Sequence, residues 1–563
     1  MAFDGITTRI LVNEFNKDLI GSRVEKIYVP SRNELWLLLH TSDRKSVKLL
    51  ISVDANNCRF HLSNESRNNP EQAPQFCMIL RKYLSGARLI KVTQIGLDRI
   101  IKFSFEAIND FGDLTIKDLV VELMGKYSNI ILIDQEKIID SIRHVDITMS
   151  SVREVLPTKK YITPTTLGKN EFESISEEEF CNLLLESIKN SEHEIINIAN
   201  LVSNNFIGFS KTFITSICES ENIKLEIEKK ELTQNILITI YQKIKTILEA
   251  IKENSISFTL TESQKDYYPL ISNSTTTSSY FLDEFYSQKE NASLFKSAKQ
   301  NIVRDVNSHI SKLTKKLDGV LETLSEEKNL EKYRQYGELI NCNIYRMNIG
   351  LEKIEVENFY NNNELVSIPL QKNLTPSRNS ALYFKKYNKL KNSLLHAKEY
   401  KKTYEDELTY LNSVLFELDD AQTIFELDEI HDELANLGYV KKKTKKGKKK
   451  DLPSEPIVYE YNGIRILVGR NNIQNDKLTL KQARKNYTWL HTKNVHGSHV
   501  IIESEKIDDA TLYYAATLAK KHSKAKDSSK VEVDYTLVKY VHKESGAKPG
   551  MVVYTDYQTI IVE

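Results

Sequence analysis

The chain has 563 residues, and its 78 Lys and Arg nearly balance its 77 Asp and Glu, so the net charge is +1. At about 150 residues per domain this length predicts roughly three to four domains, and 40% hydrophobic with 28% charged residues favours a soluble, folded chain over a disordered one. No run approaches ~18 consecutive apolar residues, which excludes a membrane span, and the opening MAFDGITTRILVNEF lacks the basic and apolar blocks of a secretion signal.

Residues 1–170 predict one α+β domain. An amphipathic helix comes first and stops at Gly21; its apolar face is formed by Ile6, Ile10, Leu11, Phe15 and Leu19. A second helix opens with Pro74 in its first turn and ends at Gly86. Strands are predicted at Arg23–Val29, Leu35–His40, Ser46–Val53, Leu89–Ile95, Ile100–Phe105, Leu119–Met124 and Asn129–Asp134.

Residues 171–280 form a second predicted domain, which begins with helical periodicity and many Glu residues. In the segment NNFIGFSK (204–211), a turn centred on Gly208 separates two helices. This pattern allows a helix-hairpin-helix, in which backbone N–H groups at the start of the second helix face a phosphate. With one glycine only, the pattern also fits an ordinary helix–helix loop, which the sequence favours.

The strongest periodicity in the chain lies in residues 281–436, where two heptad seams alternate spacings of three and four residues. The first seam is Val303, Val306, Ile310, Leu313, Leu317, Val320 and Leu324, and the second is Tyr383, Tyr387, Leu390, Leu394, Ala397, Lys401, Tyr404, Leu408, Leu411, Leu415 and Leu418. Turn and breaker residues between the seams predict a small module at 337–380. We therefore expect an antiparallel two-helix coiled-coil arm with a module at its tip; dimerisation of these helices with a second copy is the alternative.

A lysine-rich linker is predicted at 437–454, because the run KKKTKKGKKK (441–450) holds eight lysines. Like-charge repulsion should keep this run unfolded and exposed. It is either a solvated linker or a contact to a phosphate backbone.

Residues 455–563 predict a small α/β domain with a helix near Ala510–His522. Its strands are predicted at Val458–Tyr461, Ile464–Val468, Val500–Glu503, Val531–Tyr535 and Val552–Tyr554. Residues 441–563 carry 24 basic and 14 acidic side chains. This excess of positive charge at one end of the chain points to an anionic partner.

The sequence offers no motif for a self-contained active site. GxxxxGK[ST], HExxH, GxSxG and GxGxxG are absent, and the five scattered cysteines form no CxxC pair. His491 and His499 fit hydrogen bonding in a loop better than metal binding or acid–base chemistry. We therefore expect no cofactor and no metal, and we expect a multidomain scaffold that works with RNA.

Several long segments resemble one protein family. They are MAFDGITTRILVNEF (1–15), QFCMILRKYL (75–84), IGLDRI (95–100), LMGKYSNIILID (123–134), SVREVLP (151–157), KYRQYGELI (332–340), YFKKYNKLK (383–391), GIRILVGRNNIQNDKLTLKQARKNYTWLHTK (463–493), GSHVII (497–502) and GAKPGMVVYT (546–555). Together they resemble, in the right order and over essentially the whole chain, the NFACT family of RqcH, NEMF and the proteins named fibronectin-binding protein A.

The resemblance and the periodicity together predict a multidomain α+β fold. Its parts are an N-terminal NFACT α/β domain that binds tRNA (1–170), a helical helix-hairpin-helix domain (171–280), a long antiparallel coiled-coil arm (281–436) with a tip insertion (337–380), the lysine-rich linker (437–454) and a C-terminal small α/β RNA-binding domain (455–563).

The resemblance implies a role in bacterial ribosome quality control. Members recognise a large ribosomal subunit that still carries a nascent peptide on tRNA, and recruit alanine-charged tRNA. The subunit then adds alanines without mRNA, and the tail marks the peptide for degradation. The protein itself is expected to be a cytoplasmic adaptor and not an enzyme, because placement of reactants needs no nucleophile. A small accessory RNA-binding factor is a further expected partner, and no membrane is involved.

For the N-terminal domain, the resemblance assigns tRNA contacts to two patches. Asp98 and Arg99 match the family's Asp-Arg pair, where Arg99 can contact phosphate or stack on an unpaired base and Asp98 can orient it; without the resemblance, a salt bridge within a turn would be the preferred interpretation. Glu122, Met124 and Lys126 form the second patch. Family members commonly have Arg in place of Lys126, so the charge is kept but the planar fork is lost.

For the C-terminal domain, the resemblance assigns rRNA contacts to Arg470, Asn471, Asn472, Asn475, Asp476, His491 and Lys493. Arg470 and Lys493 are expected to meet phosphates, whereas Trp489 is expected in the core. His496 stands where relatives usually carry Pro, so the geometry of that loop is open.

Two other functions compete with the adaptor. One is a surface adhesin that binds fibronectin, as an older family name suggests. The other is a nuclease or glycosylase, because the first two domains also resemble formamidopyrimidine-DNA glycosylases. Those enzymes use an N-terminal Pro followed by Glu, whereas this chain begins Met1-Ala2-Phe3, so base excision is not expected.

Overall fold

The structure is a computed structural model that describes residues 3–109, 112–164, 168–190, 192–272, 277–442 and 455–563. It divides into two compact units, Met1–Glu290 and Asn291–Glu563. Both units combine helices with antiparallel sheet, so the predicted multidomain α+β class is confirmed. Most of the predicted lysine run, residues 443–450, lies outside the described residues.

A nine-stranded antiparallel sheet forms the first part of the first unit. Its strands are β1 (Arg23–Ser31), β2 (Glu34–His40), β3 (Ser46–Ser52), β4 (Arg59–Leu62), β5 (Arg88–Gln94), β6 (Ile100–Ile108), β7 (Leu114–Glu122), β8 (Asn129–Asp134) and β9 (Lys137–Ser141), in the order β4-β3-β2-β1-β5-β6-β7-β8-β9. The alternation of apolar residues predicts seven of these strands and misses β4 and β9. The predicted strand Leu119–Met124 starts earlier and ends at Glu122.

Two helices, α1 (Gly5–Asp18) and α2 (Gln75–Leu84), contribute to the core of this sheet. Asp4 caps α1, since its carboxylate accepts from the backbone N–H of Thr7 at 2.9 Å. Pro74 precedes α2 as its N-cap and does not lie inside the first turn. The predicted apolar face of α1 is buried.

Four helices and two short strand pairs complete the first unit. They are α3 (Glu177–Lys189), β10 (Ile195–Asn197), α4 (Ile198–Asn205), α5 (Lys211–Ser220), β11 (Glu226–Glu228), α6 (Gln234–Lys252), β12 (Ile256–Leu260) and β13 (Tyr267–Ile271). Side chains from these elements and from the large sheet share one hydrophobic core. The predicted boundary between residues 170 and 171 therefore separates two parts that pack together.

The turn between α4 and α5 is bound to the residue that caps α1. The backbone N–H of Ser210 donates to the buried carboxylate of Asp4 at 3.0 Å, and the Ser210 hydroxyl accepts from Phe213. Gly208 is held with φ +89° against the backbone of Leu97. These contacts favour the ordinary helix–helix loop that the sequence preferred, and the helix-hairpin-helix is not confirmed.

The second unit is built around long helices, which are α7 (Ser278–Ser325, beginning in the first unit), α8 (Lys328–Cys342), α9 (Pro376–Asp420) and α10 (Ile424–Asn436). The ammonium of Lys299 donates to the backbone carbonyl of Asp419, and Lys398 forms an ion pair with Glu327 at 2.9 Å. The hydroxyl of Ser380 donates to the backbone carbonyl of Gly337. The helices α7 and α8 therefore run antiparallel to α9, which is about 65 Å long at 1.5 Å per residue. Every residue of the two predicted seams is buried or half-buried.

A β-hairpin joins α8 to α9. Its strands are β14 (Lys353–Asn358) and β15 (Glu364–Pro369). Val356 and Ile368 pack with Leu339 and Tyr383, whose hydroxyl donates to the carbonyl of Pro369 at 2.6 Å. The hairpin thus lies within the predicted tip module.

The C-terminal part of the second unit is a six-stranded antiparallel sheet. The strands of this sheet are β16 (Ile457–Tyr461), β17 (Ile464–Val468), β18 (Thr488–Thr492), β19 (Val500–Ile502), β20 (Val531–Leu537) and β23 (Gln558–Val562), in the order β16-β17-β19-β18-β20-β23. The helices α11 (Asn472–Lys477) and α12 (Asp509–Lys521) and a separate strand pair, β21 (Val541–His542) with β22 (Val553–Tyr554), complete this part. The helix α12 packs on one face. Trp489 is fully buried on the other, as predicted.

The five cysteines are free thiols, and only one is accessible. Cys58, Cys77, Cys181 and Cys218 are buried, whereas Cys342 at the end of α8 is exposed. Burial raises the pKa of Cys77 and Cys181, and that of Cys218 to about 11.

Replacing Gly208 with alanine should strongly destabilise the protein. A β-carbon there would lie 2.3 Å from the carbonyl oxygen of Leu97, and φ is +89°. We expect Gly208→Ala to lower the free energy of unfolding by at least about 2 kcal/mol. The matched control is Gly319→Ala within α7, where no atom lies within 4 Å, and which should raise stability by up to about 1 kcal/mol. Urea unfolding followed by circular dichroism measures both, and equal midpoints would contradict the close packing of this turn.

Candidate nucleic-acid interface

Asp98 and Arg99 lie in the turn between β5 and β6, and both are half-buried. The Asp98 carboxylate accepts from the backbone N–H of Arg99 at 2.7 Å. The amide of Gln94 donates to the carbonyls of Asp98 and Gly5, at 2.9 and 2.8 Å. The turn is therefore fixed to the start of α1, which gives the two side chains a rigid base.

The second predicted patch lies beside this turn. Glu122, the last residue of β7, is paired in register with Ile100, the first residue of β6. The backbone N–H of Leu123 donates to the carbonyl of Arg99 at 2.9 Å. The fold therefore brings the two patches together at one end of the sheet, as their assignment to a common tRNA site requires.

The residues after β7 differ in their accessibility. Met124 is half-buried and packs on the apolar cluster that contains Ile100 and Val120. Lys126 is exposed, and its ammonium lies 4.8 Å from the ring centre of Tyr127, which is 69% exposed. Lys126 and Tyr127 thus present a cation and an aromatic ring, which are groups suited to phosphate and base.

Glu122 is buried and engaged within the domain, so direct contact with tRNA would require it to leave its present partners, and its assignment stays a prediction. Its side chain is 0% exposed and accepts from both terminal nitrogens of Arg153, one of them at 2.8 Å, and from the hydroxyl of Tyr161 at 2.8 Å. Burial lowers the pKa of Arg153, but its hydrogen bonds with Glu122 raise it more. Burial, with the charge of Glu122, raises the pKa of Tyr161. Glu122 therefore holds its neighbours in place.

Arg143 fixes the loop that carries Lys126. Its guanidinium donates to the backbone carbonyls of Lys126 and Ser128, both at 3.2 Å, and to that of Val53 at 2.8 Å. It also donates to the side-chain amide oxygen of Asn33 at 2.7 Å. The sequence interpretation missed Arg143 and Arg153. Arg153 lies within the SVREVLP segment, so the resemblance marked the position without revealing its contact.

Four of the predicted rRNA residues of the C-terminal domain form hydrogen bonds within the second unit. Asn471 caps α11 and donates to Glu429 of α10 at 3.1 Å, and Asn472 donates to Ser413 of α9 at 3.1 Å. Asn475 accepts from the backbone of His499 at 3.1 Å, and Asp476 accepts from Gly550 at 3.0 Å and from Lys543. Contact of Asn471, Asn472, Asn475 and Asp476 with rRNA stays a prediction, and it would compete with these internal hydrogen bonds. Their polar atoms hold the domain together and fasten it to α9 and α10.

The other three predicted residues are also engaged. Arg470 pairs with Glu426 at 2.8 Å, and Lys493 pairs with Glu532 at 3.1 Å, although both remain partly exposed. His491 stacks on Trp489 with ring centres 5.8 Å apart, and burial lowers its pKa to about 4. Phosphate contact by Arg470 or Lys493 would require exchange of an existing carboxylate partner.

Two buried carboxyl groups face the start of α11. Glu417 of α9 and Glu433 of α10 are buried, and each has one oxygen without a hydrogen-bond partner within the described chain. Backbone N–H groups of Asn472 and Ile473 donate to them, and the hydroxyl of Tyr410 donates to Glu433 at 2.7 Å. Burial raises the pKa of Glu417, and raises that of Glu433 to about 7. The folded chain therefore binds protons at these two carboxyl groups up to a higher pH than the unfolded chain does.

No group of His, Cys, Asp and Glu suited to a metal ion occurs among the residues that the structure describes. In the same residues, every helix is too short or too polar to cross a bilayer.

A family model described as NFACT N-terminal and middle domains matches residues 4–452, and one described as NFACT protein RNA binding domain matches residues 457–556. The chain belongs to the NFACT family. Among relatives of this NFACT protein, the Rqc2 homolog RqcH of Bacillus subtilis (strain 168) is 34% identical over 577 residues, which is 100% of this chain and 98% of that protein. The Rqc2 homolog RqcH of Streptococcus suis (strain 05ZYH33) is 33% identical over 567 residues, with the same two coverages.

Solved structures of parts of similar proteins exist. The N-terminal part of the fibronectin/fibrinogen-binding protein from Streptococcus suis is 28% identical, covers 51% of this chain and 99% of that chain, and has a TM-score of 0.40. The C-terminal part of the same protein is 32% identical, covers 48% and 94%, and has a TM-score of 0.39.

Removing the Glu122 carboxylate should destabilise the NFACT N-terminal sheet. Glu122→Ala leaves the partly buried Arg153 without its partner, and we expect a loss of about 3 kcal/mol in the free energy of unfolding. The matched control is Glu136→Ala, whose ion pair with Lys160 is exposed on both sides, and which should cost under about 1 kcal/mol. Urea unfolding of the two variants gives the comparison, and equal losses would refute the special position of Glu122.

The second unit should become less stable as the pH rises from about 5 to 8. The folded pKa values of Glu417 and Glu433 lie above the ordinary 4.5, so the folded chain holds more protons than the unfolded chain. Their contribution is complete below about pH 4.5 and is lost as the pH rises through about 7.

Glu433→Gln keeps a neutral side chain and should flatten this dependence. Glu405→Gln, at an exposed position on α9, should leave it unchanged. Thermal unfolding midpoints across this pH range provide the measurement. A slope in the Glu433→Gln protein as steep as that of the unmodified protein would rule out this carboxyl group as its source.

Proposed function

We propose that this NFACT protein is a ribosome quality control factor. In this role it binds large ribosomal subunits that are obstructed by peptidyl-tRNA and recruits alanyl-tRNA, so that alanines are added to the stalled chain without mRNA. The observation that carries the proposal is the match with RqcH of Bacillus subtilis over 100% of this chain and 98% of that protein. A related protein of Homo sapiens, 31% identical over 137 residues, is named ribosome quality control complex subunit NEMF.

The protein acts in this proposal as an adaptor, and the large subunit forms the peptide bond. Its contribution is to hold an aminoacyl-tRNA near the subunit's own catalytic centre, which lowers the entropic cost of the reaction. The rigid turn with Asp98 and Arg99, next to Lys126, is the proposed tRNA contact. Arg99 offers a planar guanidinium for phosphate or for stacking on a base. Met124 would support this surface from below, and Glu122 would fix it through Arg153.

The paired helices serve in this proposal as a coiled-coil arm that reaches the large subunit. Their antiparallel pairing and their length of about 65 Å support this role. The lysine run at 441–450 and the C-terminal domain would bind rRNA, with Arg470 and Lys493 reaching phosphate by exchange of their carboxylate partners. An accessory RNA-binding factor stays a prediction.

We place this activity in the cytoplasm, where ribosomes are found. The solved structures described above are of a protein named for binding fibronectin and fibrinogen. Their TM-scores of 0.39 and 0.40 do not support the transfer of that binding to this chain. One experiment separates the two functions. Tagged full-length protein is isolated from cells, its bound RNA is sequenced, and binding to immobilised fibronectin is measured in parallel. Enrichment of alanine tRNA and large-subunit rRNA over a mock control supports the adaptor, whereas fibronectin binding without RNA enrichment rejects it.

Loss of the Asp98 and Arg99 side chains should abolish alanine tailing and leave the fold intact. The double variant Asp98→Ala with Arg99→Ala changes two half-buried side chains in a turn, whose Gln94 bonds use backbone carbonyls. Tailing is measured on a stalled reporter peptide in cells, and folding by circular dichroism. The control is Lys45→Ala with Asp43→Ala, a pair of exposed residues in another turn of the same sheet. Normal tailing by the Asp98 and Arg99 variant would exclude this turn as the tRNA contact.

A further inference from the structure

A row of exposed cations lies on the C-terminal domain, apart from the residues that the resemblance assigned to rRNA. We call it the basic row, and its members are Lys477, Lys481, Arg484, Lys485 and Lys539. No Asp or Glu occurs from residue 477 to residue 502, nor from 535 to 543. Two separate stretches of the chain thus lack acidic residues, and the fold joins them.

Two backbone hydrogen bonds connect these stretches. The N–H of Val538 donates to the carbonyl of Tyr487 at 2.9 Å, and the N–H of Lys539 donates to the carbonyl of Lys485 at 3.1 Å. Lys539 therefore lies directly beside Lys485, although the two are far apart in sequence. The five cations form one surface on the folded domain.

The basic row has a rigid base. Leu478 is fully buried, and Ala483 and Tyr487 pack on the same apolar cluster as Val538 and Trp489. Between Leu478 and Gln482 the chain forms a π-helical turn that continues α11. Apolar side chains thus point into the domain and the cations point outward, so their spacing is fixed before any ligand binds.

The basic row differs in its pairing from six other cations of the second unit. Arg465, Arg470, Lys493, Lys530, Lys543 and Lys548 each lie within 4.0 Å of a carboxylate. In the described part of the chain, no ion pair involves the members of the basic row. Two of them lie over rings instead, with Arg484 5.9 Å from the ring centre of Tyr487 and Lys539 4.7 Å from that of Tyr540. Their positive charge is therefore not neutralised within the domain.

We propose that the basic row binds the phosphodiester backbone of RNA and is the main electrostatic contact of this domain. The inference rests on the proposed function and specifies the surface that carries its RNA contact. Exposed Lys and Arg at fixed spacing, without competing carboxylates, bind a line of phosphates independently of base sequence. RNA is favoured over an acidic protein because the family model that matches residues 457–556 is described as an RNA binding domain.

The test compares two triple variants of the full-length protein. The first is Lys481→Gln with Arg484→Gln and Lys485→Gln in the basic row. The control is Arg465→Gln with Lys506→Gln and Lys530→Gln, which removes three exposed cations elsewhere on the same domain. Both variants keep the lysine run at 441–450, so its contribution is the same. Fluorescence anisotropy measures binding of a labelled 30-nucleotide single-stranded RNA and a labelled 20-base-pair RNA duplex at several KCl concentrations.

We expect the basic-row variant to bind both RNAs at least about tenfold more weakly. The slope of log affinity against log salt should fall in magnitude by about 2 for the single strand, since three phosphate contacts contribute about 0.7 each. The control should stay within about twofold of the unmodified protein. Equal thermal unfolding midpoints show that all three proteins are folded.

The outcomes separate this inference from the proposed function. If the unmodified protein binds RNA and large subunits but the basic-row variant binds RNA as well as the control does, the basic row is not the contact and the proposed function stands. If the unmodified protein binds neither, the proposed function fails as well. If poly-glutamate displaces RNA from the unmodified protein as effectively per charge as unlabelled RNA does, the surface is a general site for acidic polymers, which overturns the assignment to RNA.

Discussion

The buried ion pair between Glu122 and Arg153 is the interaction on which the candidate tRNA surface depends. Glu122 is the last residue of β7 and is paired in register with the first residue of β6. The ion pair with Arg153 therefore fixes this end of both strands. A charge without its partner is costly in the interior, and the two groups are therefore stable only together. The half-buried Arg99 and the exposed Lys126 take their positions from this point. Glu122 thus contributes to the candidate surface by holding the neighbouring residues in place.

The C-terminal domain follows the same physical logic. Its polar segment, residues 470–476, forms hydrogen bonds with α9, with α10 and with loops of the domain itself. Backbone groups at the start of α11 donate to Glu417 and Glu433, whose pKa values burial raises. The basic row begins with Lys477, directly after this segment. Polar residues that resemble a ligand set can therefore be the framework for a ligand surface next to them.

Much of the fold could be predicted from the sequence, because its elements are marked by local patterns. Apolar alternation in the strands and heptads in the long helices determine which side chains are buried. Both patterns can be read in the sequence of each element alone. The roles of polar residues were harder to predict. Glu122 meets Arg153 31 residues away, and Asn472 meets Ser413 59 residues away. Such pairs can be seen only in the fold. The lack of acidic residues from 477 to 502 is visible in the sequence, but it indicates a basic surface only once the exposure of the cations is known.

The distribution of the thiols has a practical consequence. Cys342 ends α8 beside the hairpin that joins the long helices, and the other four sulfur atoms are buried. A maleimide dye should therefore couple selectively at this position in the native chain, without engineered substitutions. The far end of the helical pair would then carry a fluorophore whose emission and rotational freedom report when ribosomal material encloses it.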